Sequence, residues 1–180
     1  MRWDDLFGDL GAQWEAEQRR ELDSEVSDRT RRERGALGLY ERLAAAGTSR
    51  VGLTLRTGTV LDGQVADVGD GWVLLGVPGG AVSLVPFGGV TAVTGLSARA
   101  AGEPAGRRFG LGYALRGLSR DRSVVSVVDV SGAQATGTID AVGRDVLELA
   151  EHAADLPRRP ENVTGRRLVP FDALVVVRPA

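Results

Sequence analysis

The sequence predicts a mainly β protein with an N-terminal α-helix, in which two five-stranded small barrels follow one another and each is preceded by a short helix. Three observations predict this fold. The nine residues VPFGGVTAV, which begin at Val85, return as VPFDALVVV from Val169. Each copy alternates apolar and polar residues between glycine turns, as bent strands do. The first 35 residues instead place apolar side chains at helical spacing.

The repeat extends well beyond these nine residues. A shift of 74 residues places Gly58 on Gly132 and Gly63 on Gly137, whereas the VPF triplets need a shift of 84. The second copy therefore carries ten extra residues, within HAADLPRRPENVTGRRL. An internal repeat decides the architecture of a chain. We expect an amphipathic helix over residues 1–35, barrels over 36–97 and 109–180, and an exposed linker over 98–108.

The strands of the first copy follow one another in order. VGLTLRTG alternates Val51, Leu53 and Leu55 with polar residues, which is the pattern of a half-buried strand. TVLDGQVADVGD comes next, with Gly63 at a bend, and GWVLLGV, AVSLVPF and GVTAVTGL complete five strands. LGLYERLAAAG and LGYALRGLSRD are the short helices ahead of the two copies.

This pattern resembles the signatures of the Sm and Sm-like proteins. The first signature is matched by Leu55, Gly58, Gly63, Val65, Val68 and Leu75, and again by Gly132, Gly137, Ile139 and Val142. LVPFGGV and LVPFDAL stand where the second signature is expected. The resemblance implies tandem Sm-like barrels, with the fourth strand of one barrel paired to the fifth strand of the next. A ring of three chains would then imitate a ring of six barrels.

The residues with which Sm proteins hold RNA are replaced in both copies. The family's Asp position holds Gly69 and Gly143, its Asn position holds Val73 and Leu147, and its Arg-Gly position holds Pro86-Phe87 and Pro170-Phe171. Valine and proline side chains neither hydrogen-bond a base edge nor offer a positive charge to a phosphate. We therefore expect no binding of uridine-rich RNA in the Sm manner.

The N-terminal segment carries an apolar stripe. Its members follow the spacing i, i+3, i+4, i+7, i+11 of one helix face and are Trp3, Leu6, Phe7, Leu10 and Trp14. Gly8 and Gly11 each cost about 1 kcal/mol against alanine, so the helix needs a packing partner. We expect the stripe to bind a second copy of the chain, most simply as a dimer, or another protein.

Composition excludes several kinds of chemistry. The chain has no cysteine and no lysine, which removes thiolate nucleophiles, Cys-rich zinc sites, Walker phosphate loops and Schiff bases. His152 is the single histidine and is expected to be solvated. We expect the carboxylates on the predicted strands to lie on the solvent-exposed face of the barrels; they include Asp62, Asp67, Asp140, Asp145 and Glu148. We expect no enzyme, no metal and no cofactor.

Arginines form two clusters. One closes the N-terminal helix at Arg29, Arg31, Arg32 and Arg34, and the other brackets the ten-residue insertion at Arg158, Arg159, Arg166 and Arg167. Each cluster is either a solvated ion-pair network or an anion or RNA contact. The near balance of 22 basic and 24 acidic residues gives no general attraction for nucleic acid, so that partner is possible but not favoured.

The functional expectation is a non-enzymatic interaction or assembly protein. It binds itself or a protein partner whose identity the sequence leaves open. The alternative is a nucleic-acid-binding protein that uses arginine-rich loops in place of the Sm site. MRWDDLFGDL lacks the apolar core of a signal peptide and no stretch is long enough to span a membrane, so we expect a cytoplasmic protein without a membrane partner.

Overall fold

The computed structural model describes residue 35 and residues 37–97 and 109–180. The chain divides into two compact units, Met1–Gly38 and Leu39–Ala180. The fold described below is that of the second unit. The predicted domain boundaries at residues 35, 97 and 108 stay a prediction.

The elements of the second unit follow the order expected from the repeat. The first copy contains α1 (Leu39–Ala44), β1 (Arg50–Leu55), β2 (Val60–Gly69), β3 (Trp72–Gly76), β4 (Val82–Pro86) and β5 (Val90–Thr94). The second copy contains α2 (Leu111–Asp121), β6 (Val124–Asp129), β7 (Gln134–Val142), β8 (Val146–Glu151), β9 (Gly165–Pro170) and β10 (Leu174–Pro179). The inserted residues lie between β8 and β9, the third and fourth strands of that copy, and include a short 3₁₀ turn at Pro160–Asn162.

All ten strands belong to one antiparallel sheet in the order β5-β1-β2-β3-β4-β10-β6-β7-β8-β9. Each copy thus repeats one internal order: fifth, first, second, third and fourth strand. The expectation of two separate, closed barrels needs correction, because within the described residues this sheet is continuous and does not close. The free side of β4 pairs with β10 of the other copy rather than with its own β5, since an unpaired strand edge accepts the nearest complementary strand.

Glycine lets the second strand of each copy bend against its neighbours. Gly63 pairs with Val51, and a Cβ on it would collide with the carbonyl oxygen of Gly76. Gly137 makes the same close approach to Ala150. A few residues further on, each strand carries a bulge, at the same position of the repeat.

The two apolar cores exchange side chains across the β4–β10 junction. Val175 and Val176 of β10 belong to the core of the first copy, whereas Trp72 and Leu84 belong to the core of the second. Each copy therefore completes its core with residues of the other. No helix in the described part of the chain is long and apolar enough to cross a membrane.

Candidate functional site

The junction inside the chain shows how two copies of the repeat join. Val177 of β10 pairs with Leu84 of β4 in antiparallel register. Both side chains are buried, with 1% of each exposed. We name this β4–β10 pairing the seam. It joins the fourth strand of the first copy to the fifth strand of the second.

The corresponding strands at the two ends of the sheet are free. The shift of 84 residues places Leu168 of β9 at the position of Leu84, and Val93 of β5 at the position of Val177. Leu168 is 68% exposed, and Val93 is half-buried. Within the described residues, β9 pairs only with β8 and β5 pairs only with β1. The strands that correspond to the two partners of the seam thus lie at opposite edges of the described sheet, and these edges are the candidate functional site.

Charge on β9 does not block such pairing in the usual way. Exposed edge strands are commonly protected by charged side chains. On β9 the two cations are already bound to carboxylates of the neighbouring strand: Arg166 lies 3.3 Å from Glu148, and the Nε of Arg167 donates to Glu151 at 2.7 Å. The hydrogen bond from Arg167 to Glu151 also raises the pKa of the guanidinium above its usual value. Leu168 follows these two arginines on β9, and its side chain is exposed.

The insertion brings Arg158 onto Asp140. The Nε of Arg158 donates to Asp140 Oδ1 at 2.8 Å and a second guanidinium N–H reaches Oδ2, which makes the pair bidentate. Arg122 approaches the same carboxylate at 3.5 Å. Asp140 is the extra residue of the β7 bulge, which turns its side chain out of the ladder. The hydrogen bond from Arg158 holds the pKa of Asp140 below its usual value.

The predicted arginine cluster is only partly brought together. Arg158 and Arg166 line one open cleft of about 690 Å³, together with Arg122, Thr138, Asp140 and Glu148. Arg159 and Arg167 do not line it; Arg159 faces Glu161 at 4.0 Å. Arg122 was not among the predicted site residues, and no local pattern in the sequence points to it. Each arginine of the predicted cluster is paired to a carboxylate, and the choice between an ion-pair face and an anion contact stays open.

The carboxylates predicted on the solvent-exposed face of the strands differ in how far they are exposed. Asp62, Asp67 and Asp145 are exposed as expected. Asp140 and Glu148 are half-buried and bound by arginines.

The expectation of a solvated histidine is wrong. His152 is only 3% exposed and directly follows β8, where the segment between β8 and β9 begins. Its Nδ1 lies 2.9 Å from the carbonyl oxygen of Ala153, and its Nε2 lies 2.9 Å from the hydroxyl of Thr138. Since a carbonyl only accepts, Nδ1 carries the proton, and Nε2 accepts from Thr138 in the neutral ring. The pair satisfies two buried polar groups.

Several of the positions to which the resemblance assigns the Sm RNA site lie in the core, whereas Gly143 and Pro170 are exposed. Val73 and Leu147 are fully buried in β3 and β8. Gly69 lies against the indole of Trp72 and the backbone of Phe109, where no side chain would fit. The backbone N–H groups of Phe87 and Phe171 donate to the carbonyls of Gly71 and Asp145, which is the same bond in both copies. These residues hold the fold and present no polar side chain to a ligand.

The predicted N-terminal sites lie outside the described residues. They are the apolar stripe of Trp3, Leu6, Phe7, Leu10 and Trp14 and the first arginine cluster. The linker 98–108 also lies outside them. Within the residues that are described, no three His, Asp or Glu side chains come together to hold a metal ion.

Comparisons of the chain with family models, with curated proteins and with solved structures find no match. The arguments for function therefore come from the geometry and from the resemblance carried by the repeat.

Proposed function

We propose that the protein is a non-enzymatic assembly protein whose free strands β9 and β5 pair between neighbouring copies of the chain. The contact is a second seam, in which Leu168 of one chain lies opposite Val93 of the next. The resemblance of the repeats to tandem Sm-like barrels supports this contact, because such barrels join fourth strand to fifth strand.

The contrast between Leu84 and Leu168 carries the proposal. The two leucines hold the same position in the repeat, and only the one inside the seam is covered. Covering a leucine side chain contributes about 1.5–3 kcal/mol, and pairing the strands satisfies the exposed backbone groups of both edges. A second chain can cover Leu168 and pair with the edge strand without any change of fold.

A contact between two different edges joins chains head to tail. Such a contact either closes into a ring or continues as a filament. Each chain contributes two copies of the repeat, so a ring of six repeats contains three chains. A trimeric ring is the assembly that the resemblance favours.

The test is the molar mass of the intact protein by light scattering. Leu168→Glu places a charge in the second seam and is expected to reduce the assembly to smaller species. The matched control is Leu156→Glu, since Leu156 is also exposed (42%) but lies in the inserted loop. The control variant keeps the mass of the parent protein. If the parent protein has the mass of one chain, or if both variants lose assembly alike, the proposal is wrong.

The nucleic-acid alternative stays a prediction. Its arginines Arg158, Arg166 and Arg167 are each bound to a carboxylate. A purified protein with a high ratio of absorbance at 260 nm to that at 280 nm would favour the alternative.

A further inference from the structure

The cleft beside the insertion belongs to the second copy alone. Its walls come from β6, β7, β8, β9, the inserted loop and Arg122 at the end of α2. The shifts of 74 and 84 residues place Ala66 at the position of Asp140, Leu74 at that of Glu148 and Val82 at that of Arg166. Arg158 lies in the insertion and has no counterpart in the first copy. The two copies share the bends and glycines of the second strand, but the charged residues of this cleft are present in the second copy only.

The charged groups of the cleft form an ordered set. Both carboxylate oxygens of Asp140 accept hydrogen bonds from Arg158, and Arg122 approaches the same carboxylate. Glu148 forms an ion pair with Arg166. Each guanidinium has five N–H donors, so these contacts leave donors free. The side chains of Arg122 and Arg166 are exposed over 65% and 67% of their surface. The carboxylates thus hold three arginines around one open space and leave part of each accessible.

We propose that this cleft binds a small phosphorylated molecule through Arg122, Arg158 and Arg166. Guanidinium groups recognise phosphate oxygens by paired hydrogen bonds, and carboxylates behind them fix their direction. The cleft of about 690 Å³ exceeds the size of a phosphate group, so it has room for an organic part against Val124 and Pro157.

A small ligand fits the cleft better than a nucleic-acid strand. Three arginines against two carboxylates give a local excess of one positive charge. The other two arginines of this cluster, Arg159 and Arg167, are each paired to a glutamate as well and lie outside the cleft. Strong binding of nucleic acid needs many uncompensated cations.

The experiment is a calorimetric titration of the full chain with pyrophosphate and with inorganic phosphate at constant ionic strength. Saturable binding of one pyrophosphate per chain is expected. Arg158→Gln and Arg166→Gln each remove a charge-assisted hydrogen bond and should weaken it by about tenfold or more. The matched control is Arg159→Gln, which removes the same charge next to Arg158 but outside the cleft; it should change affinity by less than about twofold.

Three results would overturn the proposal. The first is the lack of saturable binding to the parent protein. The second is equal weakening by the Arg159 and Arg158 variants, which shows diffuse attraction only. The third is tighter, steeply salt-dependent binding of a single-stranded oligonucleotide that the Arg166 variant leaves intact. Thermal unfolding of each variant separates lost binding from lost folding. The side chain of Arg166 is largely exposed, so Arg166→Gln should stay folded and test the proposal even if Arg158→Gln unfolds.

Discussion

Leu84 and Leu168 hold the same place in two copies of one repeat, yet 1% of Leu84 and 68% of Leu168 is exposed. The difference comes from β10, which covers Leu84 through Val177 and has no counterpart beside Leu168 among the described residues. The internal seam therefore shows what a partner strand would bury at the outer edge.

The two leucines should respond differently to truncation. Leu84→Ala leaves a cavity where the two cores meet and should lower the free energy of unfolding by about 2–5 kcal/mol. Leu168→Ala should change it by less than about 0.5 kcal/mol, because the side chain is already in water. Urea unfolding, at a concentration where light scattering shows single chains, measures both. Equal effects would show that the seam does not stabilise the fold.

The buried hydrogen bond between Thr138 and His152 should contribute to stability. Thr138→Val keeps the shape of the side chain and leaves the Nε2 of His152 without a donor, which should cost about 1–3 kcal/mol. The control is Thr136→Val on the same strand, where Thr136 is half-buried. Urea unfolding of the two variants is the measurement. A cost no larger at Thr138 than at Thr136 would contradict the bond.

The pairing of Asp140 with Arg158 should make stability depend on pH. Because the pKa of Asp140 is lowered in the folded state, its contribution is present above the ordinary carboxyl pKa and is lost as pH falls through the lowered value. Asp140→Asn should therefore destabilise the protein at pH near 7 and much less in strong acid. Urea unfolding at both pH values tests this. Asp145→Asn, at an exposed carboxylate, is the control. A cost of Asp140→Asn that stays constant with pH would contradict the prediction.

Local patterns predicted the elements, and contacts distant in sequence decided the rest. Alternation and glycine spacing gave all ten strands, both short helices and the place of the insertion, because these depend on neighbouring residues. The continuous sheet depends on β4 meeting β10, about ninety residues later, which no local pattern encodes. The burial of His152 and the pairing of Asp140 with Arg158 likewise arise from how the insertion folds back on β7.

The N-terminal stripe predicts a separate contact between chains. On the Leu168→Glu background, which is designed to disrupt the proposed second seam, the intact chain should still be a dimer through Trp3, Phe7 and Trp14. A shortened chain that begins at Gly35 should be a monomer, because burying such aromatic side chains is worth several kcal/mol at about 25 cal/mol per Å². Light scattering gives the masses. If both chains have equal mass and equal thermal stability, the stripe serves neither assembly nor the core.

The most direct test of head-to-tail pairing uses the lack of cysteine in the chain. Val93→Cys and Leu168→Cys together place two thiols opposite each other across the second seam, within the distance that a disulfide bridges. Mild oxidation of the double variant should give covalent multiples of the chain on a denaturing gel, whereas Val93→Cys combined with Leu156→Cys should not. Only single chains from the first pair, or equal multiples from both pairs, would contradict assembly through β9 and β5.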